Sequence, residues 1–482
     1  MSFFIRGKNS VNFKKPEKTL KRKRLVKKNK KGNDDADDLV ASKKLKDDDN
    51  EEISSESDEE RPAQNGNVEP SSDEEEAETA QEKRIRLAKT YLQEIERQER
   101  ERAESKDIDK EAIGKRIKED LLEQAGKLRK QIADQFVGYK QEEIKQLRCK
   151  EHNSAITSLA ISLDGQFLYS ASKDCSIVKW NLTEKKKVKS IPGGRKGTED
   201  RHKGHTTSVN GIAVSSDNKF LASGDEIGQI LIWDAETLEL LKTFRHQAAV
   251  TGLVFRRDSH QLYSCSKDRS VKIWSLDEMA FIESLFGHQC GVTSIDALTR
   301  ERAITSGGRD NSLRIWKIVE ESQLIYNGHK GSIDSVKLIN EENFLSCGDD
   351  GMLCLWGSMK KKPLEVVENA HGVDSENDQP RWISSIASCL NTDLVASGSN
   401  DGFLRLWKCG DGFKNLTPLL SIPVVGFVNA ICFTPDGSHV IVGIGQEHRL
   451  GRWWRIKEAR NSILIMPLLK NTEITEAESN KE

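Results

Sequence analysis

The chain has 482 residues and a formal net charge of −2, with 36% hydrophobic and 32% charged residues, which is enough for one large domain with appendages. Its nine cysteines include no C-x-x-C pair, which argues against a disulfide framework or a zinc site and indicates a reducing compartment. The amino terminus lacks the apolar core of a signal peptide, and no apolar run reaches membrane-spanning length. We therefore expect an intracellular, soluble protein.

Charge is concentrated in the first 77 residues. Eleven of the eighteen residues at 14–31 are Lys or Arg, and acidic runs follow at 34–60 and 73–78. Because such blocks cannot bury enough apolar surface to offset chain entropy, residues 1–77 are expected to be disordered. Serine–acid runs in this tail suit acid-directed kinases; a solvated tail that only aids solubility is the alternative. The candidate phosphorylation sites are Ser55, Ser57, Ser71 and Ser72.

A helical region is predicted at residues 78–140. Thr79 and Glu82 can form a capping box at the start of a first helix, and a second helix is predicted at 109–137. Each carries only a narrow apolar stripe, so neither is expected to fold alone. The helices either pack on the domain that follows or dock on a partner, and the polar segment between them favours the partner.

Residues 141–468 contain a repeat of about 40 residues. Its tryptophans recur at intervals of 40–53 residues, five of the seven have an aspartate six residues earlier, and a His or Gly-His opens most units. These are the features of WD repeats, and they predict an all-β, seven-bladed WD-repeat β-propeller. Residues 469–482 are expected to form a disordered tail. The tryptophans are Trp180, Trp233, Trp274, Trp316, Trp356, Trp407 and Trp453.

The recurring His and Asp imitate an active site, but a structural role is expected. In WD blades they form a buried hydrogen-bond relay with a strand Ser or Thr and the Trp. No zinc-protease, nucleophile-elbow or phosphate-loop motif occurs in the sequence, so we expect no catalytic residue, metal or cofactor and no enzyme. Blades two and seven depart from the pattern, with Ile227 and Glu447 where Asp is expected. The representative relay residues are His152, Asp174 and Trp180 in blade one, and His288, Asp310 and Trp316 in blade four.

Blade seven is predicted to use the strands FVNAICF, HVIVGIG and RLGRWWRI, with Trp453 in the relay and Trp454 facing the other way. Its outer strand comes either from residues 144–149 or from residues 462–468, and both segments can contribute.

Two basic segments are candidates for RNA contact. The first is the long connection between Trp180 and Trp233, which suits phosphate contacts or is an ordinary solvated loop. The second surrounds Trp454, where aromatic and guanidinium groups can stack on unpaired bases, unless Trp454 packs on a neighbouring strand. The candidate residues are Arg195, Lys196, Arg201, His202 and Lys203 in the first, and Arg449, Arg452, Trp454 and Arg455 in the second.

The stretch GIGQEHRLGRWWRIKEARNS at 443–462 resembles the carboxyl end of the WD-repeat subunit family of the U3 small nucleolar ribonucleoprotein. The stretches at 321–334, 255–274 and 82–99 are similar to the same family. Together the similarity covers roughly residues 80–468, including the helical region that generic WD proteins lack.

The resemblance implies a non-catalytic protein of the nucleus and nucleolus. It would bind U3 RNA beside the core box C/D proteins, including fibrillarin, and support the release of 18S RNA in the small-subunit processome, with pre-ribosomal RNA as an indirect partner. Nuclear targeting would fall to Lys14, Lys15, Lys21, Arg22, Lys23, Arg24, Lys27, Lys28, Lys30 and Lys31. The alternative function is a general WD-repeat protein scaffold, such as a chromatin or ubiquitin-ligase adaptor.

Overall fold

A computed structural model describes residues 85–86, 88–94, 97, 110–124, 126, 128–194, 197, 202–374 and 377–471. The predicted disordered tail, its phosphorylation candidates and the predicted targeting residues lie outside the described residues. So do Arg195, Lys196 and Arg201. No helix among the described residues is long and apolar enough to cross a membrane.

Residues 85–86, 88–94 and 97 are helical, and helix α1 spans Lys110–Gln124. The hydroxyl of Tyr91 donates to Asp120 of α1 at 2.6 Å, which joins the two helical segments. The second helix is thus shorter than the predicted 109–137. It ends before Gly126, whose φ of +66° is the left-handed conformation that often follows a helix. Whether the helices dock on a partner stays a prediction.

The propeller has seven antiparallel sheets whose strands run from the channel outward in chain order in blades one to six. The predicted seven-bladed architecture is confirmed. Blade one has β3 Ile156–Ile161, β4 Phe167–Ser172, β5 Ile177–Asn181 and β6 Lys186–Ile191; blade two has β7 Val209–Val214, β8 Phe220–Asp225, β9 Gln229–Asp234 and β10 Leu240–Arg245. Blade three has β11 Val250–Phe255, β12 Gln261–Ser266, β13 Ser270–Ser275 and β14 Ala280–Phe286; blade four has β15 Ser294–Ala297, β16 Arg302–Ser306, β17 Ser312–Lys317 and β18 Ser322–Asn327.

Blades five and six repeat this plan, and blade seven uses both ends of the described propeller. Blade five has β19 Ile333–Leu338, β20 Asn343–Gly348, β21 Leu353–Gly357 and β22 Glu365–Val367; blade six has β23 Ser385–Ser388, β24 Leu394–Gly398, β25 Phe403–Cys409 and β26 Leu416–Pro423. Blade seven has β27 Phe427–Phe433, β28 His439–Gly445, β29 Ser462–Lys470, and the outer strands β1 Phe136–Tyr139 and β2 Lys145–Leu147.

Both candidate segments therefore contribute to blade seven. β29 is its third strand, and β1 and β2 pair with the outer edge of β29. Strand β1 begins before the predicted propeller boundary at residue 141, and β29 continues past the predicted end at 468. The predicted third strand RLGRWWRI is wrong, because this segment belongs to the long connection between β28 and β29.

The segment before β1 crosses the end of the propeller that carries the turns between first and second strands. The carboxylate of Asp393 in blade six accepts the backbone N–H groups of Ile132 and Ala133 at 2.7 and 2.9 Å. Leu128 and Phe136 are buried. Residues 128–139 are thus integral to the propeller, although the sequence pattern assigns them to the helical region.

A ring of polar side chains ties the inner strands together around the channel. The residue after the first buried apolar position of an inner strand donates to a backbone carbonyl of the next blade. Thr157 donates to Val209, Asn210 to Val250, Thr251 to Val292, Thr293 to Ile333, and Ser384 to Val428, at 2.5–3.2 Å. In blades five and seven this position holds Asp334 and Asn429, which have other partners.

Candidate functional site

The relay predicted from the repeats forms in six blades, and it has the same contacts in blades three to six. In blade four, Nε2 of His288 lies 2.8 Å from the hydroxyl of Thr305, which also accepts the indole N–H of Trp316 at 2.8 Å. Nδ1 of His288 lies 2.8 Å from Asp310. Burial alone would raise the pKa of Asp310, but hydrogen bonds from His288 and Ser312 offset it and lower that pKa.

In blade one a serine mediates the last step of the relay. His152 contacts Ser170 and Ser176 at 2.7 Å each, Trp180 donates to Ser170 at 2.8 Å, and Ser176 donates to Asp174 at 2.5 Å. The polar groups of this relay thus bond to one another within the fold. The role of the relay is to satisfy buried polar groups.

Blade two has an acid that the repeat spacing does not reveal. Asp225, the last residue of β8, lies 3.2 Å from Nδ1 of His205, and its other oxygen accepts the backbone N–H groups of the following turn at 2.8–3.1 Å. The interpretation of blade two as lacking its Asp is therefore wrong. The acid sits two residues earlier in the chain and reaches the same histidine.

Replacing Asp225 with alanine is expected to lower the free energy of unfolding by about 3 kcal/mol, because buried donors lose their acceptor. Ile227→Ala is the matched control. Ile227 occupies the position predicted for the acid and is 36% exposed, so its loss is expected to cost less than about 1 kcal/mol. Urea unfolding of both variants measures the difference. Equal losses would contradict the assignment of the acid to Asp225.

The most unusual feature of the surface is the connection between β28 and β29, residues 446–461, called here the blade-seven insertion. It leaves the propeller at the face that carries the relay turns. Trp453 is 63% exposed and Trp454 is 54% exposed, so the prediction that Trp453 joins the buried relay is wrong. The two indoles and the neighbouring arginines form an exposed surface.

The blade-seven insertion is held by the two exceptional members of the polar ring. Asn429 accepts the backbone N–H of Arg449 at 2.9 Å and donates to the carbonyl of Glu447 at 3.0 Å. The guanidinium of Arg449 donates to the carbonyl of Asp334 at 2.9 Å. Positions that elsewhere join two blades here anchor the insertion over the channel.

A second long connection, residues 368–384 between β22 and β23, supports the insertion from blade six. The indole of Trp382 donates to the carboxylate of Asp334 and packs against the ring of His448, with ring centroids 3.9 Å apart and the planes tilted by 35°. The rings of Trp453 and Trp382 have centroids 5.9 Å apart. Burial, with the nearby cations Arg449 and Lys173, lowers the pKa of His448 to about 3. His448 is therefore a neutral packing residue.

Ion pairs position the remaining part of the insertion. Lys173 of the blade-one turn donates to the backbone carbonyls of His448 and Gly451. Glu447 pairs with Arg452 at 3.0 Å, so the acid at the predicted relay position holds the insertion instead. The Arg452 side chain is nevertheless 76% exposed. Arg455 donates to Gln446 at 2.9 Å and is also exposed.

The basic connection between β6 and β7 starts beside the same blade-one turn. A Cβ on Gly193 would overlap the carbonyl oxygen of Asp174, so this glycine allows the connection to pack on the turn. The adjacent residue, Lys173, holds the blade-seven insertion. His202 and Lys203 are exposed. The blade-one turn thus contacts both segments that the sequence indicates as RNA candidates.

The arrangement has the chemistry of a binding surface. Arg452, Trp454 and Arg455 offer guanidinium and indole groups to solvent, whereas Arg449 is used as an anchor. Sequence reasoning missed Trp382, Asp334 and Asn429. The sequence signal for Asp334 is a carboxylate at a ring position where the other blades hold Thr, Ser or Asn; Trp382 and Asn429 carry no comparable signal. Within the residues that the structure describes, no cluster of His, Cys, Asp and Glu could hold a metal ion.

Comparisons with known proteins match this architecture. The family model for the WD domain, G-beta repeat, matches residues 143–181, 198–234, 238–275, 279–317, 320–357 and 374–408. The human protein named U3 small nucleolar RNA-interacting protein 2 is 50% identical over 394 residues, covering 81% of this chain and 82% of the relative. The yeast Saccharomyces cerevisiae Ribosomal RNA-processing protein 9 is 27% identical, covering 82% and 90%.

A solved structure described as RRP9 WD40 repeats is 50% identical, with a TM-score of 0.67. It covers 69% of this chain and 100% of its own. A second, described as U3-55K, is 51% identical with a TM-score of 0.66 and the same coverage.

Proposed function

The chain belongs to the family of U3 small nucleolar RNA-interacting protein 2, and from that premise we propose that it is a non-catalytic U3 RNA-binding subunit of a box C/D ribonucleoprotein. In this role it supports pre-ribosomal RNA processing toward 18S RNA in the small-subunit processome, in the nucleolus. Its partners are U3 RNA, the core box C/D proteins including fibrillarin, and neighbouring processome proteins.

The observation that carries the proposal is the exposed Arg-Trp surface of the blade-seven insertion. Indole and guanidinium groups stack on unpaired bases and contact phosphates. Two ring positions, Asp334 and Asn429, anchor this segment and restrict its conformation. Such preorganisation reduces the entropic cost of binding. The basic connection beside the blade-one turn extends the same surface with Lys203 and His202.

A second candidate function is a protein scaffold that binds a peptide at the same face. The observation in its favour is that an acidic residue, Asp349, and an aromatic residue, Trp382, line the same cavity. The arginines of the insertion weigh against the scaffold function. A basic rim attracts an anionic polymer such as RNA and repels a peptide with cationic side chains.

Crosslinking and pull-down of the tagged full chain from nuclear extract tests the proposal. U3 RNA is expected to be enriched above other box C/D RNAs, since the core proteins are common to all of them. Equal recovery of all box C/D RNAs, or of none, would contradict a U3-specific role. A variant with Trp454→Ala, Arg452→Ala and Arg455→Ala tests whether the exposed Arg-Trp surface contributes to binding. It is expected to recover less U3 RNA while remaining folded.

A further inference from the structure

Below the blade-seven insertion, the mouth of the channel contains a cavity of about 710 Å³. Its wall on one side is the exposed Trp453 with Leu450 and the buried part of Trp382. On the other side lie the starts of the inner strands and the relay turns of blades three to five. This volume is within the range of small-ligand sites, roughly 300–1,000 Å³.

Two cations stand at the rim of this cavity. Lys267 and Arg309 each precede the relay aspartate of their blade, and both are exposed. Among the residues that the structure describes, neither side chain forms a salt bridge. Arg449 reaches the cavity from the opposite side. The rim therefore carries positive charge close to an aromatic wall.

The floor contains a carboxylate that can accept further hydrogen bonds. Asp349, which precedes the relay aspartate of blade five, lines the cavity; within the described residues it accepts from backbone N–H groups, including that of Ser332, but no side chain donates to it. Desolvation raises the pKa of this carboxyl. Gly291 leaves the wall beside Lys267 open, because a Cβ there would lie 3.0 Å from the Cα of Lys267.

We propose that this cavity receives one unpaired nucleobase of the bound RNA, stacked on Trp453, with the flanking phosphates on Lys267 and Arg309. Asp349 accepts a hydrogen bond from an exocyclic amino group, as carboxylates do with cytosine, so an amino-bearing base is favoured over uracil. The inference rests on the proposed U3 RNA binding and adds where and how one base is read.

A nucleobase is favoured over a peptide side chain by the combination of groups. A flat aromatic wall suits a planar ring, and cations at the rim suit the phosphates on either side of it. A lysine or arginine side chain would match Asp349 but would be repelled by Lys267, Arg309 and Arg449.

Cys290 gives a direct report on occupancy, because it lines the cavity and is partly exposed. In the full chain bound to U3 RNA, alkylation of Cys290 is expected to slow about ten-fold, while Cys149, which is partly exposed but does not line the cavity, keeps its rate. A 12-nucleotide oligocytidine is expected to protect Cys290 better than oligouridine or an abasic oligomer of equal length. Equal protection by the abasic oligomer would show phosphate contact only and would overturn the proposal.

Trp453→Leu is expected to weaken U3 RNA binding about ten- to hundred-fold, the range for loss of one base–aromatic stack, and to restore alkylation of Cys290. Phe286→Leu, which removes an exposed aromatic side chain outside the cavity lining, is the matched control and should leave Cys290 protected. Cys290→Trp, which fills the cavity, should reproduce the loss of affinity if Trp453→Leu folds poorly.

The outcomes separate the two proposals. Normal U3 RNA binding with Cys290 alkylated at its free rate would overturn the base site and leave the proposed function intact. Absence of U3 RNA binding in a filter assay would overturn both. Protection of Cys290 by purified box C/D proteins without RNA would mean that a protein segment fills the cavity, which also overturns the base site.

Discussion

Replacing Phe136 with alanine is expected to lower the free energy of unfolding by about 3–5 kcal/mol, the usual cost of removing a buried aromatic side chain. Phe136 is only 4% exposed and packs in the core shared by blades six and seven. It lies in β1, outside the repeats, so a large effect would follow from its place on the outer edge of blade seven. Urea unfolding measures the loss as a lower midpoint at an unchanged slope.

Val137→Ala is the matched control for Phe136. Val137 is the next residue of the same strand, but it is 56% exposed, and its replacement is expected to cost less than about 1 kcal/mol. If Phe136→Ala were as mild as Val137→Ala, β1 would not contribute to the stability of the propeller in solution.

The second large effect concerns the basic connection. Replacing Arg195, Lys196, Arg201 and Lys203 together with alanine is expected to reduce the slope of log K against log salt by roughly 3, since each lost phosphate contact removes about 0.7–0.9. The difference in affinity between wild type and variant should then shrink roughly 60-fold between 50 and 200 mM salt. Filter binding to U3 RNA over this salt range measures both quantities.

Four lysines at the opposite face provide the control for net charge. They lie in turns between third and fourth strands, at the end of the propeller away from the relay turns, and all are exposed. Their replacement by alanine removes the same charge and is expected to leave the salt slope nearly unchanged. Equal effects of the two quadruple variants would exclude a local contact at the basic connection. The control residues are Lys360, Lys361, Lys362 and Lys414.

The propeller and the relays of five blades could be predicted because their signal is local. In blades one and three to six a His, a strand hydroxyl, a turn acid and a Trp recur at similar spacing, so spacing alone identifies them. Blade two shows the limit of this reasoning. Asp225 contacts His205 from the end of a strand. A rule based on a fixed sequence spacing from Trp233 misses an acid at a different backbone position.

The sequence pattern misassigns the third strand of blade seven, because the spacing of the tryptophans carries no information about their burial. Trp453 keeps the interval of the repeat but lies in an insertion, while the apolar run of β29 supplies the third strand. The pairing of β29 with β1 and β2 joins distant parts of the chain, which local patterns do not encode. The cavity and its anchors Asp334 and Asn429 depend on the same insertion, so they too required the folded structure.

The closure of blade seven by β1 and β29 also determines when the propeller can close during translation. Phe136 pairs with Lys470, about 330 residues later, so at roughly 5–20 residues per second the early strand waits some tens of seconds on the ribosome before its partner is made. During that time an unsatisfied strand edge and the apolar side chain of Phe136 face the cytosol, which is a hazard for aggregation. We therefore expect the nascent chain to bind chaperones until its last strand is made, and we expect truncations before residue 462 to be degraded rather than to accumulate as partial rings.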